Sequence, residues 1–206
     1  MASTLLYLVR HGEQRRADGD GEDPGLGLSP LGEEQARYLG RRLADVPFDV
    51  VRHGPARRAA ETAAILSAYV PGVPVCESEL LTDLTPVPAP GQEESVPARY
   101  RRFLDAVPAQ ERDLGGARLD DAVARLAVAT GTDRCELLVT HNFVIGWFVR
   151  HVLDAPSWRW IGLNQFNCGL TIIRVSDGGP PALVAFNDIG HLPVDRRGNP
   201  PVRLFS

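Results

Sequence analysis

The stretch that most constrains the fold is CELLVTHNFVIGWFVRHVL, residues 135–153. Cys135 to Thr140 is the clearest strand signal in the chain, and it runs through His141 directly into an amphipathic helical pattern. A strand that turns straight into a helix belongs to an alternating α/β architecture, whose sheet is largely parallel and covered by helices. The rest of the chain keeps that alternation. Thr4–Val9, TLLYLV, is a short apolar run of β-formers. After a loop rich in glycine, proline and acids, Ser29 caps a helix whose first position is Pro30, with Leu31, Ala36, Leu39 and Leu43 apolar. FDVVR is a second strand; Pro55 to Tyr69 is a second helix with Ala59, Thr62, Ala63 and Leu66 inward; VPVCE is a third strand. Helical stretches are expected around Pro97–Val107 and Leu119–Ala129, and LTIIRV and ALVAFN close the chain as strands paired through SDGGPP. The expected fold is a three-layer α/β/α sandwich with a mostly parallel central sheet, built from residues 1–206 as one domain. Leu80 to Pro97 is proline-rich and aperiodic, the character of a lid or site insert around residues 80–97.

Composition narrows the function classes. A net charge of −4 gives no reason to expect a nucleic-acid or membrane-surface binder. MASTLLYLVR has too short an apolar run and no basic start for a signal peptide, and nothing approaches the roughly 18 apolar residues of a membrane span. Cys76, Cys135 and Cys168 are odd in number and widely spaced, which fits reduced, buried thiols in a cytoplasmic protein rather than nucleophiles or a zinc knuckle. Trp147, Phe148, Trp158 and Trp160 are expected in the core. The five histidines show no metal-ligand spacing, and the acidic DGDGED loop lacks the glycine and glutamate of an EF-hand, so neither metal nor cofactor is implied.

In open α/β sheets, ligands bind beyond the carboxyl ends of the strands. Three strands here end in reactive residues: Arg10-His11-Gly12 after the first, a turn leading to Arg58 after the second, and Thr140-His141-Asn142 after the Cys135 strand. Neighbouring strands lie about 4.8 Å apart, so these side chains can converge on one small anion. Arginine forks match phosphoryl oxygens, and helix N-termini at Gly54-Pro55 and Asn142 add N–H donors. Binding alone would not need histidine. A neutral imidazole among arginines suits a nucleophile, because nearby cations lower its pKa and leave a ring nitrogen free to attack phosphorus.

LYLVRHGE, GLSPLGEEQA, RRAAETA and LLVTHNFVI, in that order, together with the closing LNQFNCGLTIIRV and FNDIGHL, resemble the histidine phosphatase superfamily, with its phosphoglycerate-mutase-like fold and N-terminal RHG. The resemblance covers nearly the whole chain. It implies that His11 is transiently phosphorylated, that Arg10 and Arg58 clamp phosphoryl oxygens, and that His141 stabilises the group in transfer. Gly12, Gln14 and Asn142, the last through its backbone N–H, would contact substrate. VRHG occurs again at residues 51–54, but family members carry a small polar residue where His53 stands, so His53 is assigned to the rim or the structure. His151 and His191 are likewise placed outside the chemistry.

A leaving alcohol needs a proton. The family's acid lies after the third strand, where this chain has LLTDL; Asp83 is the candidate, with Glu79 and Glu93 as alternatives, and its pKa would need to be raised, as burial next to phosphate's own negative charge would do. Arg15, Arg16 and residues 82–94 are expected around the outer pocket. The resemblance thus implies a metal-independent phosphomonoesterase acting on a phosphorylated small molecule or phosphoprotein. The alternatives are a mutase-type phosphotransferase and a catalytically weak phosphate-binding scaffold. The departures QRRADG after RHGE and Gly54 before the second helix leave those alternatives open.

Overall fold

The structure, a computed structural model, describes residues 2–15 and 25–198. Arg16 and the DGDGED stretch lie outside the described residues. The strands and helices are β1 (Ser3–Arg10), α1 (Pro30–Leu43), β2 (Val50–His53), α2 (Arg57–Ser67), β3 (Val75–Glu77), β4 (Thr85–Val87), α3 (Arg101–Asp105), β5 (Arg112–Leu114), α4 (Ala117–Leu126), β6 (Arg134–Thr140), α5 (Asn142–Val152), β7 (Leu170–Ser176) and β8 (Ala182–Asp188). Six of these strands form one sheet in the order β3-β2-β6-β1-β7-β8. The first four run parallel, β7 is antiparallel to β1, and β8 is antiparallel to β7.

Strand alternation sends successive side chains to opposite faces, and two separate cores follow from it. Leu6 and Leu8 of β1 and Leu138 of β6 pack with Leu119, Val123, Ile145 and Phe148 from α4 and α5. Val9, Leu137 and Val139 point the other way and meet Ala36 and Leu39 of α1 and Ala59, Ala63 and Leu66 of α2. The result is the expected three-layer α/β/α sandwich with a mostly parallel sheet. Trp147, Phe148 and Trp160 are buried as expected, whereas Trp158 is half-buried. Cys168 is buried, but Cys76 and Cys135 are only partly so.

Local chemistry accounts for the helix starts. The Ser29 hydroxyl accepts the Gly32 N–H at 3.0 Å, and Pro30 takes the first helical position, where no N–H is missed. Helix α2 begins two residues later than Pro55, because Ala56 is extended and its carbonyl accepts the first helical N–H groups. That places Arg58 in the first turn.

Residues 80–97 are less irregular than their sequence suggests. Thr85, Pro86 and Val87 form β4, which pairs in parallel with Arg112, Asp113 and Leu114 of β5. Three-residue strands carry no readable period, and Pro86 reads as a breaker because it cannot donate to a ladder. Leu81, Leu84, Val87 and Val96 are all buried against the α4–α5 core.

Candidate active site

The carboxyl ends of β1, β2 and β6 are stitched together by backbone bonds. The His11 N–H donates to the Thr140 carbonyl at 3.0 Å, and the Gly54 N–H to the Val139 carbonyl at 3.1 Å. His141 then caps α5 in an extended conformation, which aims its ring back over the strand ends. Both VRHG glycines are required by close approach. A Cβ on Gly12 would fall 2.5 Å from the Gly32 carbonyl oxygen, and one on Gly54 2.3 Å from that of Leu81.

His11 is 6% exposed. Its Nδ1 lies 2.8 Å from the Gly12 carbonyl, an acceptor, so Nδ1 carries the proton and Nε2 keeps its lone pair. Arg58 Nε donates to that Nε2 at 3.2 Å. Burial above all, and then His141, Arg10 and Arg58, hold the His11 pKa well below 6.5. The ring is a neutral imidazole with its free nitrogen facing a guanidinium. The rings of His11 and His141 stand 5.2 Å apart.

Asp83 sits between Arg58 and His141. Its Oδ2 accepts from Arg58 Nη2 at 2.5 Å and lies 3.2 Å from His141 Nδ1. Burial pushes its pKa up, but His141, Arg58 and His11 outweigh that and hold the carboxyl well below the usual carboxylate range. These partners lower the carboxyl, opposite to the direction in which a phosphoryl charge would push it, and sequence order does not display them. The pocket, about 90 Å³, is lined by Arg10, His11, Asp83, Thr85, Glu111, His141, Asn142 and Phe143. Glu79 and Glu93 are exposed, bond to Thr82 and the Gly91 N–H respectively, and do not line it.

Arg58 is 3% exposed, with its Nε donating to His11 and its Nη2 to Asp83. Its buried Nη1 has no hydrogen-bond partner. A guanidinium with a spare buried donor is poised for an anion. Arg10 lines the pocket and is braced by Nη1 donating to the Gln165 carbonyl at 2.6 Å.

Of the three residues expected to touch substrate, Asn142 lines the pocket, but its side chain is occupied. Its Oδ1 accepts the Gln165 N–H at 2.8 Å and its Nδ2 donates to Asn164 at 3.0 Å. Gly12 gives its N–H to Thr62 and so does not offer it to a ligand. Gln14 lies in a bridge with Leu28, outside the lining.

Register separates the two VRHG copies. Arg10 pairs with Thr140, whereas His53 pairs with Val139, so His53 sits two residues, about 6.6 Å, further back from the rim than His11. His53 makes the same ring bond to its following carbonyl, Gly54, at 2.9 Å, yet it does not line the pocket. Arg52 instead pairs with the buried Glu136 at 3.0 Å. His151 is exposed, and His191, its pKa lowered to about 4 mainly by burial, packs beside Arg42.

Two contributions were missed in the sequence. Glu111 lines the pocket from a single turn just before β5, where no periodic signal exists. The loop 164–168 braces the site from behind: Asn167 Nδ2 donates to the His11 carbonyl at 2.9 Å, and the Cys168 N–H to that of Arg10 at 2.9 Å. Its motif carried a family likeness, but nothing in it signalled contact with β1.

The family model of the histidine phosphatase superfamily (branch 1) matches residues 6–189. The mitochondrial serine/threonine-protein phosphatase PGAM5 of Mus musculus is 30% identical over 202 residues, covering 95% of this chain. The chain spans 66% of that relative's length. Among solved structures, Bacillus stearothermophilus YhfR superposes with a TM-score of 0.68 at 26% identity, over 91% of this chain and 98% of that one. A putative alpha-ribazole-5'-P phosphatase from Escherichia coli shares the fold, with a TM-score of 0.69 at 22% identity, over 90% of this chain and 96% of the other.

Proposed function

The chain belongs to the histidine phosphatase superfamily, and on that premise we propose that it is a phosphomonoesterase that forms a phosphohistidine on His11. His11 Nε2 attacks phosphorus; a P–N bond forms as the ester P–O bond breaks, and the leaving oxygen takes a proton from Asp83. Asp83, now a carboxylate, accepts a proton from water as that water attacks the phosphohistidine. Inorganic phosphate leaves and Nε2 is restored. Arg10, Arg58 and His141 hold the phosphoryl oxygens throughout.

The observation that carries this reading is the neutral His11 ring, fixed through Nδ1, with Nε2 at 3.2 Å from an arginine whose Nη1 is buried without a partner. Asp83 reaches its protonated form through the substrate. A phosphoryl dianion takes over Arg58 and His141 and places negative charge beside the carboxyl, and both changes raise its pKa.

The substrate class is a phosphoserine or phosphothreonine ester on a protein. The named activity of the mouse relative supports this. The small pocket, about 90 Å³, suits a phosphoryl group whose alcohol side stays outside it. Turnover of p-nitrophenyl phosphate without added metal tests the activity, with His11→Ala inactive and His53→Ala close to wild type. Phosphopeptides compared with 3-phosphoglycerate test the substrate class. A wild-type protein that binds phosphate at micromolar concentration but turns over no ester would refute the enzyme and leave a scaffold; transfer to a second acceptor in place of hydrolysis would indicate a mutase.

A further inference from the structure

The bonds around His11 and Arg58 pass through one side chain that has no part in the chemistry. Thr62 is fully buried in the middle of α2. Its hydroxyl accepts the Gly12 N–H at 3.0 Å and donates to the Arg58 carbonyl at 2.7 Å. With Gly12 on His11 Nδ1 and Arg58 Nε on His11 Nε2, these bonds close a ring. It runs through the nucleophile, its loop, Thr62 and the arginine.

We propose that Thr62 is a positioning residue for phosphoryl transfer, its hydroxyl setting where His11 Nε2 stands relative to the Arg58 guanidinium. The proposal rests on the roles given above to His11 and Arg58. A threonine within a helix commonly turns its hydroxyl back to the carbonyl four residues earlier, and the Arg58 bond is of that kind. Nothing in the helix calls for the second bond, to a strand-end loop 50 residues earlier in sequence. That bond ties the residue whose carbonyl fixes the His11 tautomer to the helix that carries Arg58. On its other side Gly12 already touches Gly32 as closely as its missing Cβ allows, so the loop is held between α1 and Thr62. In-line attack tolerates little play: a displacement of about 1 Å can cost on the order of a hundredfold in rate.

Two substitutions separate this role from packing. Thr62→Val keeps the volume and removes the hydroxyl; Thr62→Ser keeps the hydroxyl and removes the methyl. Steady-state kcat and KM on p-nitrophenyl phosphate are measured beside the thermal midpoint of each variant. The expected result is at least about a tenfold loss of kcat in Thr62→Val with KM within about threefold. In Thr62→Ser, kcat stays within about threefold of wild type despite a lower midpoint. Activity that merely follows the midpoint, or a Ser variant as impaired as the Val variant, overturns the proposal. If Thr62→Val does not fold, Thr62→Ala must lose about tenfold in kcat relative to Thr62→Ser, and equality overturns it. An inactive wild type in the same assay would refute the phosphatase reading and this proposal with it. An active wild type with a silent Thr62→Val refutes the proposal alone.

Discussion

Replacing Asp83 with asparagine separates the two things this carboxylate does. Its Oδ2 occupies Arg58 Nη2 at 2.5 Å and faces His141 Nδ1 at 3.2 Å, the groups proposed to hold the phosphoryl oxygens. A like-charge pair at 4 Å is worth about 4 kcal/mol at an effective dielectric near 20. The Asp83 side chain is 34% exposed, so solvent screening reduces that severalfold; about 1.4 kcal/mol, or tenfold in affinity, is a conservative remainder. Asp83→Asn is therefore expected to bind inorganic phosphate or vanadate about tenfold more tightly, read as the inhibition constant against p-nitrophenyl phosphate. The same change removes the proton for the leaving oxygen. Rates on an alkyl ester such as a phosphoserine peptide should fall by about 10²–10⁴. His11 phosphorylation by p-nitrophenyl phosphate, whose phenolate leaves with little help, should fall far less. Unchanged phosphate affinity would show that Asp83 does not compete with substrate, and equal losses on the two esters that it does not donate the proton.

Other expectations follow from the same geometry. Because the His11 pKa is held well below 6.5, kcat/KM should stay level as pH falls through 6.5 and decline only below it; an acidic limb centred at 6.5 would contradict the burial argument. The depressed value also means that the unfolded chain binds a proton which the folded one resists. The stability associated with neutral His11 is thus complete above 6.5 and is lost as pH falls from there toward the folded-state value. His11→Gln should flatten that part of the urea-midpoint profile. Gly12→Ala, whose Cβ would lie 2.5 Å from the Gly32 oxygen, should cost about 1–3 kcal/mol in urea unfolding and most of the turnover; unchanged values would mean that the loop has slack.

What was legible in the sequence was the part written in periodicity and motif. Leu6, Leu8 and Val9 announce a buried strand, Ser29-Pro30 a helix start, and the strand-end positions of His11 and His141 their convergence. Arg58 was legible as a candidate phosphate ligand, but its burial and its pairing with Asp83 were not, because they depend on where a segment 25 residues later folds. The strands β4 and β5 were hidden by their length and by Pro86, and Glu111 went unnoticed with them. The two VRHG copies are indistinguishable as tetrapeptides. They differ by two residues of register against β6, a property of pairing rather than composition. The partners that hold the Asp83 carboxyl low were not legible for a related reason: a carboxylate's pKa follows its neighbours in space.

The most direct test of the central claim is to find the phosphate on the protein. Wild type mixed with excess p-nitrophenyl phosphate, quenched in alkali to preserve phosphohistidine and digested, should yield one modified peptide. Its added phosphoryl group should sit on His11, and Asp83→Asn should show it in greater amount through slower hydrolysis of the intermediate. Turnover with no phosphate on His11, or with the label on His53 or His141, would contradict the account.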